Sequence, residues 1–229
     1  MLKKYIVSLP LLLGATFACA QEYGHYDLKK ILVASPTSEG NAYAVDMQYL
    51  DQILNDLASH ALSYPTRFDT PQDKQRATND VKTISAIFDI LLDRPEPDAG
   101  LLRRAGIFYS IGHNLDIADS ALKADTTFQR LLSNFPDDPQ GNYMYGNFLA
   151  GSGQSQKAVP FLEKALSLGI TDANYSLGLN CLMLGDTPKA LTYLQSYQQQ
   201  NPDHPHIADL IEAIQEGRYE MKTEEVPAL

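Results

Sequence analysis

Ala150–Ala158 reads AGSGQSQKA, in which two glycines flank a serine and a lysine follows four residues after the second glycine. The stretch has two readings with opposite consequences. As a phosphate cradle it would make the chain a nucleotide enzyme; as a bend between two helices it would make it a scaffold. A phosphate loop needs Gly-Lys-Ser/Thr after a strand, so that backbone amides, the lysine and a hydroxyl converge on the phosphates. Here Gln156 precedes Lys157, Ala158 follows it, and the residues ahead of Gly151 have a helical pattern. A turn is therefore expected, and the sequence around it says what it connects.

Gly112, Gly146 and Gly178 recur at spacings of 34 and 32, and Ala124, Ala158 and Ala190 recur at the same spacings, each twelve residues after its glycine. Four residues beyond each alanine stands Phe128, Leu162 or Leu194. Three residues before each glycine stands Tyr109, Tyr143 or Tyr175, and three after it Leu115, Leu149 or Cys181. Pro136 and Pro202 close the first and third units, while Gly169 is the expected C-cap of the second. A period near 34 with small residues at two fixed places is what a stacked helical hairpin requires, because a larger side chain there would push the two helices apart. In this register Gly153 aligns with Gly185, so AGSGQSQKA falls between the two helices of the middle unit.

The pattern resembles the tetratricopeptide repeat family over residues 105–204, as units 105–138, 139–170 and 171–204. The matching residues are Ile111-Gly112, Leu115, Ala124, Phe128 and Pro136; then Tyr145-Gly146, Leu149, Ala158, Leu162 and Ala165; then Leu177-Gly178, Cys181, Ala190, Leu194 and Pro202. Phe108 fills the family's tryptophan position, but Asn142 and Asn174 are polar there, Leu131 and Tyr197 replace a small residue, and the middle unit is two residues short. The resemblance implies an all-α solenoid of helical hairpins. It also implies a concave groove lined by the first helix of each unit, here Tyr109, His113, Asp116, Tyr143, Asn147, Tyr175 and Leu179. Tyrosine suits such a groove, with a flat apolar ring and a hydroxyl held at low entropic cost. On the residues alone, the tyrosine column serves equally well as packing between neighbouring repeats. The lysine-asparagine clamp that some family members use for a chain-terminal carboxylate is missing at these positions, which argues against a chaperone-tail receptor.

Outward from the repeats, Ile207, Leu210, Ile211 and Ile214 predict a capping helix within 205–218, followed by a charged, frayed tail at 219–229. On the other side, Leu50, Leu54, Leu57 and Ala61 share a helical face, and Thr70-Pro71 with Asp73 forms an N-terminal capping signature before Val81, Ile84, Phe88 and Leu91. Residues 46–104 thus read as an N-terminal helical hairpin, and 21–45 as an extended segment, of which 21–42 could lie in the groove as an internal plug. Residues 1–20 read as a signal peptide: Lys3 and Lys4, an apolar run broken by Pro10 and Gly14, then Ala18-Cys19-Ala20. Lipidation of Cys19 is the alternative, though Thr16 and Phe17 suit a lipobox poorly. The expected location is periplasmic or secreted, in a Gram-negative-type envelope, with no transmembrane segment left after cleavage.

Removal of residues 1–20 leaves 16 basic against 28 acidic residues, a net −12. Such a surface repels phosphate backbones, so nucleic acid is not an expected partner. Cys181 falls at an interior repeat position and reads as core, while His204 and His206 lack a third metal ligand. Asp137-Asp138 and Glu224-Glu225 lie in a loop and the tail, where acid/base geometry is not fixed. No cofactor, metal or catalytic constellation is expected. The reading is a non-enzymatic scaffold with a protein or peptide partner. The rivals are carbohydrate binding by the tyrosines, and an enzyme whose site is split between the N-terminal hairpin and the repeats.

Overall fold

The computed structural model describes residues 3–8, 22–37, 40–93 and 95–225. They divide into two compact units, one from 1–15, 98–106 and 124–229, the other from 16–97 and 107–123. The helices are α1 (Met47–Ala61), α2 (Pro71–Leu92), α3 (Ala99–Asn114), α4 (Ser120–Asn134), α5 (Pro139–Gly151), α6 (Ser155–Ser167), α7 (Ala173–Met183), α8 (Thr187–Gln200) and α9 (Ile207–Gln215). The protein is all-α in class. Two small antiparallel ladders are added that hydrophobic alternation did not foretell: β1 (Lys3–Ser8) with β4 (Glu220–Glu225), and β2 (Leu32–Thr37) with β3 (Gly40–Val45).

In the repeat unit, α5 packs on α6, α6 on α7, α7 on α8 and α8 on α9. The glycine lattice is a close-packing lattice. A Cβ on Gly146 would stand 2.7 Å from Leu162 Cγ, and one on Gly178 would stand 2.5 Å from Leu194 Cγ. In the other unit a Cβ on Gly112 would stand 2.6 Å from Ser120 Oγ. The departures from the repeat pattern also have physical reasons. Asn142 and Asn174 are buried, and the Asn142 amide donates to the carbonyls of Pro136 (3.0 Å) and Asp138 (2.8 Å), tying the end of one unit to the start of the next. Leu131 fits where the repeat has a small residue because Gly141 faces it; a Cβ there would lie 2.7 Å from Leu131 Cδ2.

Ala150–Ala158 is a turn. α5 ends at Gly151, Gly153 takes φ +80°, and α6 begins at Ser155. The amides a phosphate would need are already committed: Ser152 N–H to Phe148 O (2.9 Å), Gly153 N–H to Ala150 O (3.1 Å) and Gln154 N–H to Leu149 O (2.8 Å). Gly185 holds the same left-handed place at φ +76°, and Asp119 holds it in the first unit at φ +61°. Gly169, at φ +96°, ends α6 as expected, with Ile170 N–H donating to Ala165 O.

α9 closes the repeats. Ile207, Leu210, Ile211 and Ile214 are buried in one cluster with Cys181, Leu182, Ala190, Leu194 and Tyr197. The expected tail departs from a frayed end: Tyr219 OH lies 3.1 Å from Thr187 Oγ1, and Glu220–Glu225 pair with Lys3–Ser8. Most of the expected signal segment, including Cys19, lies outside the described residues.

In the other unit, the expected cap of α2 forms: Thr70 Oγ1 accepts from Asp73 N–H at 3.1 Å, with Pro71 at the first helical position. The expected extended segment is more structured than its sequence suggested. Residues 22–27 run without regular structure into a 3-10 turn at Leu28–Ile31, and β2 and β3 follow as a hairpin. The described residues 22–27 are held by side chains of α1 and α2, as detailed below.

Candidate functional site

The repeat unit presents the row that the sequence singled out on α5 and α7. Tyr143 and Asn147 on α5 are half-buried, as are Tyr175 and Leu179 on α7. Tyr175 does not stand alone. Its ring is tilted against Tyr197 at 5.2 Å and against His204 at 6.0 Å, and Tyr197 meets His204 edge-on at 5.4 Å. Burial pushes the Tyr197 phenol up, with Asp172 and Tyr143 adding to the shift. Burial also raises Tyr175, with Tyr197 adding. The result is an aromatic cluster with one exposed member, His204, and one nearly covered member, Tyr197. Leu179 packs against the α9 cluster, which takes part of its surface out of reach.

Tyr197 and His204 were not among the candidate residues, although the signal was present. Tyr197 stands where the repeat calls for a small residue, and a large ring there needs a neighbour to lie against. His204 and His206 do not act as a pair: His206 is exposed, takes φ +71° and lies 3.7 Å from Asp209. Among the described residues no group of three His, Cys, Asp or Glu could hold a metal. Cys181 is buried, and burial raises its thiol, as befits a core residue.

The three remaining candidates belong to the other unit, and two of them depart from the expected face. Tyr109 is 1% exposed, its hydroxyl donates to Asp89 Oδ1 at 2.7 Å, and Lys123 Nζ lies 5.6 Å from its ring centroid. It is a packing residue, unlike its half-buried counterparts Tyr143 and Tyr175. Asp116 lies beyond the end of α3, in the turn, at φ +58°, so it does not continue the helical row. His113 is half-buried near the end of α3.

That unit holds a second concentration of polar contacts, around Tyr23. The ring is fully buried, its hydroxyl donates to Asp80 Oδ2 (2.9 Å), and Arg76 Nη2 donates to its carbonyl (2.9 Å). Asp56 Oδ2 accepts from both Gly24 N–H (2.9 Å) and Tyr26 OH (2.7 Å). His60, stacked on Phe68, uses Nδ1 against Arg67 O at 2.8 Å; since a carbonyl only accepts, that nitrogen carries the proton. Burial pushes the Asp80 carboxyl up, opposed by Tyr23, Arg76 and His25, and burial pushes the Tyr23 phenol well up too. An open depression of about 410 Å³ lies beside this clasp, lined by Gly24–Asp27 together with Arg76, Asn79 and Asp80. The contacts of Tyr23, Gly24 and Tyr26 were not legible in the sequence, because they join residues 30 or more apart, from Tyr26–Asp56 at 30 to Tyr23–Asp80 at 57.

Comparison with known proteins bears on the repeat unit first. The tetratricopeptide repeat family matches residues 172–204. Among solved structures the chain is similar to MamA, with 19% identity and a TM-score of 0.54 over 66% of this chain and 86% of that one. It is also similar to YrrB, described as a TPR protein with an unusual peptide-binding site, with 16% identity and a TM-score of 0.52 over 72% of this chain and 85% of that one. No curated protein matches the chain.

Proposed function

We propose that the chain is a tetratricopeptide-repeat protein and acts as a non-enzymatic scaffold, exported to the periplasm or secreted, that receives a protein or peptide along the α5–α7 row. The observation that carries the reading is the half-buried state of Tyr143, Asn147 and Tyr175. Rings that are fixed on one side and open on the other give a partner a large rigid contact at little entropic cost. Asn147 adds a donor and an acceptor between the two tyrosines. Similarity to YrrB supports a peptide as the kind of ligand, by analogy of fold. Tyr109 is left out of this surface, since its ring and hydroxyl are already taken.

The test is affinity capture from an envelope extract with wild type beside Tyr143→Ala/Tyr175→Ala, with circular dichroism to establish that the double variant is folded. A protein recovered with wild type and lost with the folded variant supports the row as the interface. The same protein recovered with both sinks it. Binding of soluble glycan fragments in place of a protein would turn the reading to the carbohydrate alternative. Export has its own readout, intact mass of the envelope-fraction protein: a chain starting at Gln21 supports cleavage after Ala20, and a lipid-modified Cys19 would replace it.

A further inference from the structure

The turn after α8 fixes a histidine beside the tyrosines of α7 and α8. Asn201 is the C-cap of α8, and both its backbone N–H (2.9 Å) and its side-chain amide (3.1 Å) donate to the carbonyl of Tyr197. His204 N–H donates in turn to Asn201 O at 3.1 Å, and Pro202 and Pro205 restrict the backbone on either side. Asn174 Nδ2 donates to Gln200 Oε1 at 3.3 Å, joining the first turn of α7 to the last of α8. Tyr175, Tyr197 and His204 are thus held in place without a ligand.

Their ring centroids form a triangle with sides of 5.2, 5.4 and 6.0 Å, and no pair is stacked flat. A point about 4–5 Å from the plane of these centroids lies within about 6 Å of all three, the range over which a ring attracts a cation. Solvent reaches the triangle through exposed His204 and half-buried Tyr175. A carboxylate belongs to the same place. Asp172 precedes Tyr175 by three residues, a spacing that sets two side chains on one helical face, and its carbonyl accepts from Tyr175 N–H at 3.1 Å. Its side chain is exposed and does not cap α7, the ordinary use of an aspartate at that position.

We propose that Tyr175, Tyr197, His204 and Asp172 form a subsite for the ammonium of a lysine carried by the protein or peptide partner. The inference rests on the reading of the α5–α7 row as the interface, since Tyr175 belongs to both. Charge selects the occupant. Aromatic faces carry the negative end of the ring quadrupole, Asp172 adds a full negative charge, and the chain as a whole is at −10. Lysine fits better than arginine. A planar guanidinium stacks flat on one ring and pairs through two parallel hydrogen bonds, whereas three mutually tilted rings suit a compact point charge on a flexible apolar stem.

The test is NMR titration of the purified protein, read on its tyrosine and histidine ring signals. The probes are Nα-acetyl-lysine methylamide, its neutral counterpart Nα-acetyl-norleucine methylamide, and methyl glucoside. The lysine probe is expected to shift the signals of Tyr175, Tyr197 and His204 in the millimolar range, and the norleucine probe to bind more weakly. Asp172→Asn should weaken lysine binding by up to about fivefold, and His204→Ala by roughly two- to fivefold. Both replace exposed side chains, and circular dichroism establishes that the variants are folded. An equal response to norleucine would make the subsite merely apolar and overturn the proposal. A response to the glucoside without one to lysine would overturn it in favour of a glycan. Silence toward lysine, or binding untouched by both substitutions, would end it too. The titration needs no partner, so its failure is distinct from a failure of capture by the α5–α7 row.

Discussion

The Tyr109 hydroxyl donates to Asp89 Oδ1 at 2.7 Å, and the Tyr145 hydroxyl donates to Asp125 Oδ1 at 2.8 Å, across the same separation of 20 residues. In both cases a tyrosine on the first helix of a unit reaches back to an aspartate on the second helix of the preceding one. Such a phenol is a fastening between consecutive helical hairpins. Asp89 also holds Lys123 Nζ at 2.6 Å, so it keeps a partner if the phenol is removed. Tyr109→Phe is therefore expected to cost about 0.5–1.5 kcal/mol in urea unfolding, the net worth of one hydrogen bond. Capture of a partner by the folded variant should be unchanged, in contrast to Tyr143→Ala/Tyr175→Ala.

The glycines of α5 predict opposite signs from one substitution. Gly146→Ala gains helix propensity of about 0.5–1 kcal/mol but drives a methyl against Leu162, whose backbone nitrogen is also only 3.2 Å from the new atom. Overpacking of about 1–3 kcal/mol should win, and the urea midpoint should fall. At Gly151, one turn and a half further on, a Cβ meets nothing within 4 Å. Gly151→Ala should raise the midpoint. Two midpoints moving the same way would sink the close-packing argument.

Asp119 occupies the left-handed position that Gly153 and Gly185 fill in the other two units. A side chain in that region clashes with its own following carbonyl, which costs roughly 1 kcal/mol and somewhat less for aspartate. Asp119→Gly should raise the melting temperature by a few degrees, and Asp119→Val should lower it. Calorimetry on both variants checks the pair.

Alkaline stability should follow the buried phenols. Burial chiefly, with Asp125 adding and Gln129 opposing, pushes Tyr145 up to about 12 from its ordinary 10.0. Between those values the unfolded chain has released the proton and the folded chain still holds it. Stability from this group is thus complete below pH 10 and is lost as pH rises to about 12. Tyr145→Phe should flatten that part of the decline in unfolding midpoints, at the expense of stability near neutrality.

The repeats could be read from the sequence because their determinants are steric and local: only glycine fits against Leu162 or Leu194, and the requirement returns at a fixed period. The burial of the tyrosines could not. Tyr109 and Tyr143 share a register, yet one is covered and the other half-open, because α2 supplies Asp89 and Phe88 to Tyr109. The clasp at Tyr23 was hidden for a related reason. Its carboxylates, Asp56 and Asp80, look in the sequence like solvated charges on helical surfaces, and only folding brings them to the phenols. The hairpin at 32–45 gave one legible half, the apolar run Ile31-Leu32-Val33. Its other strand, Gly40–Val45, has Tyr43 and Val45 among small residues and Asn41, with no run of alternating apolar and polar positions.

Asn180, 1% exposed on α7, donates its amide to the carbonyl of Ser155 at the first turn of α6, 2.9 Å away. That carbonyl belongs to the preceding repeat, and the bond is buried. The first step of separating α7 from α6 breaks it before the gap is wide enough for water, so the penalty falls at that first step and not gradually. Such a join raises the nearest-neighbour coupling of the array above what apolar contact alone provides. The second and third repeats should then melt as one cooperative block, even under a load that pulls them apart from the C-terminal end.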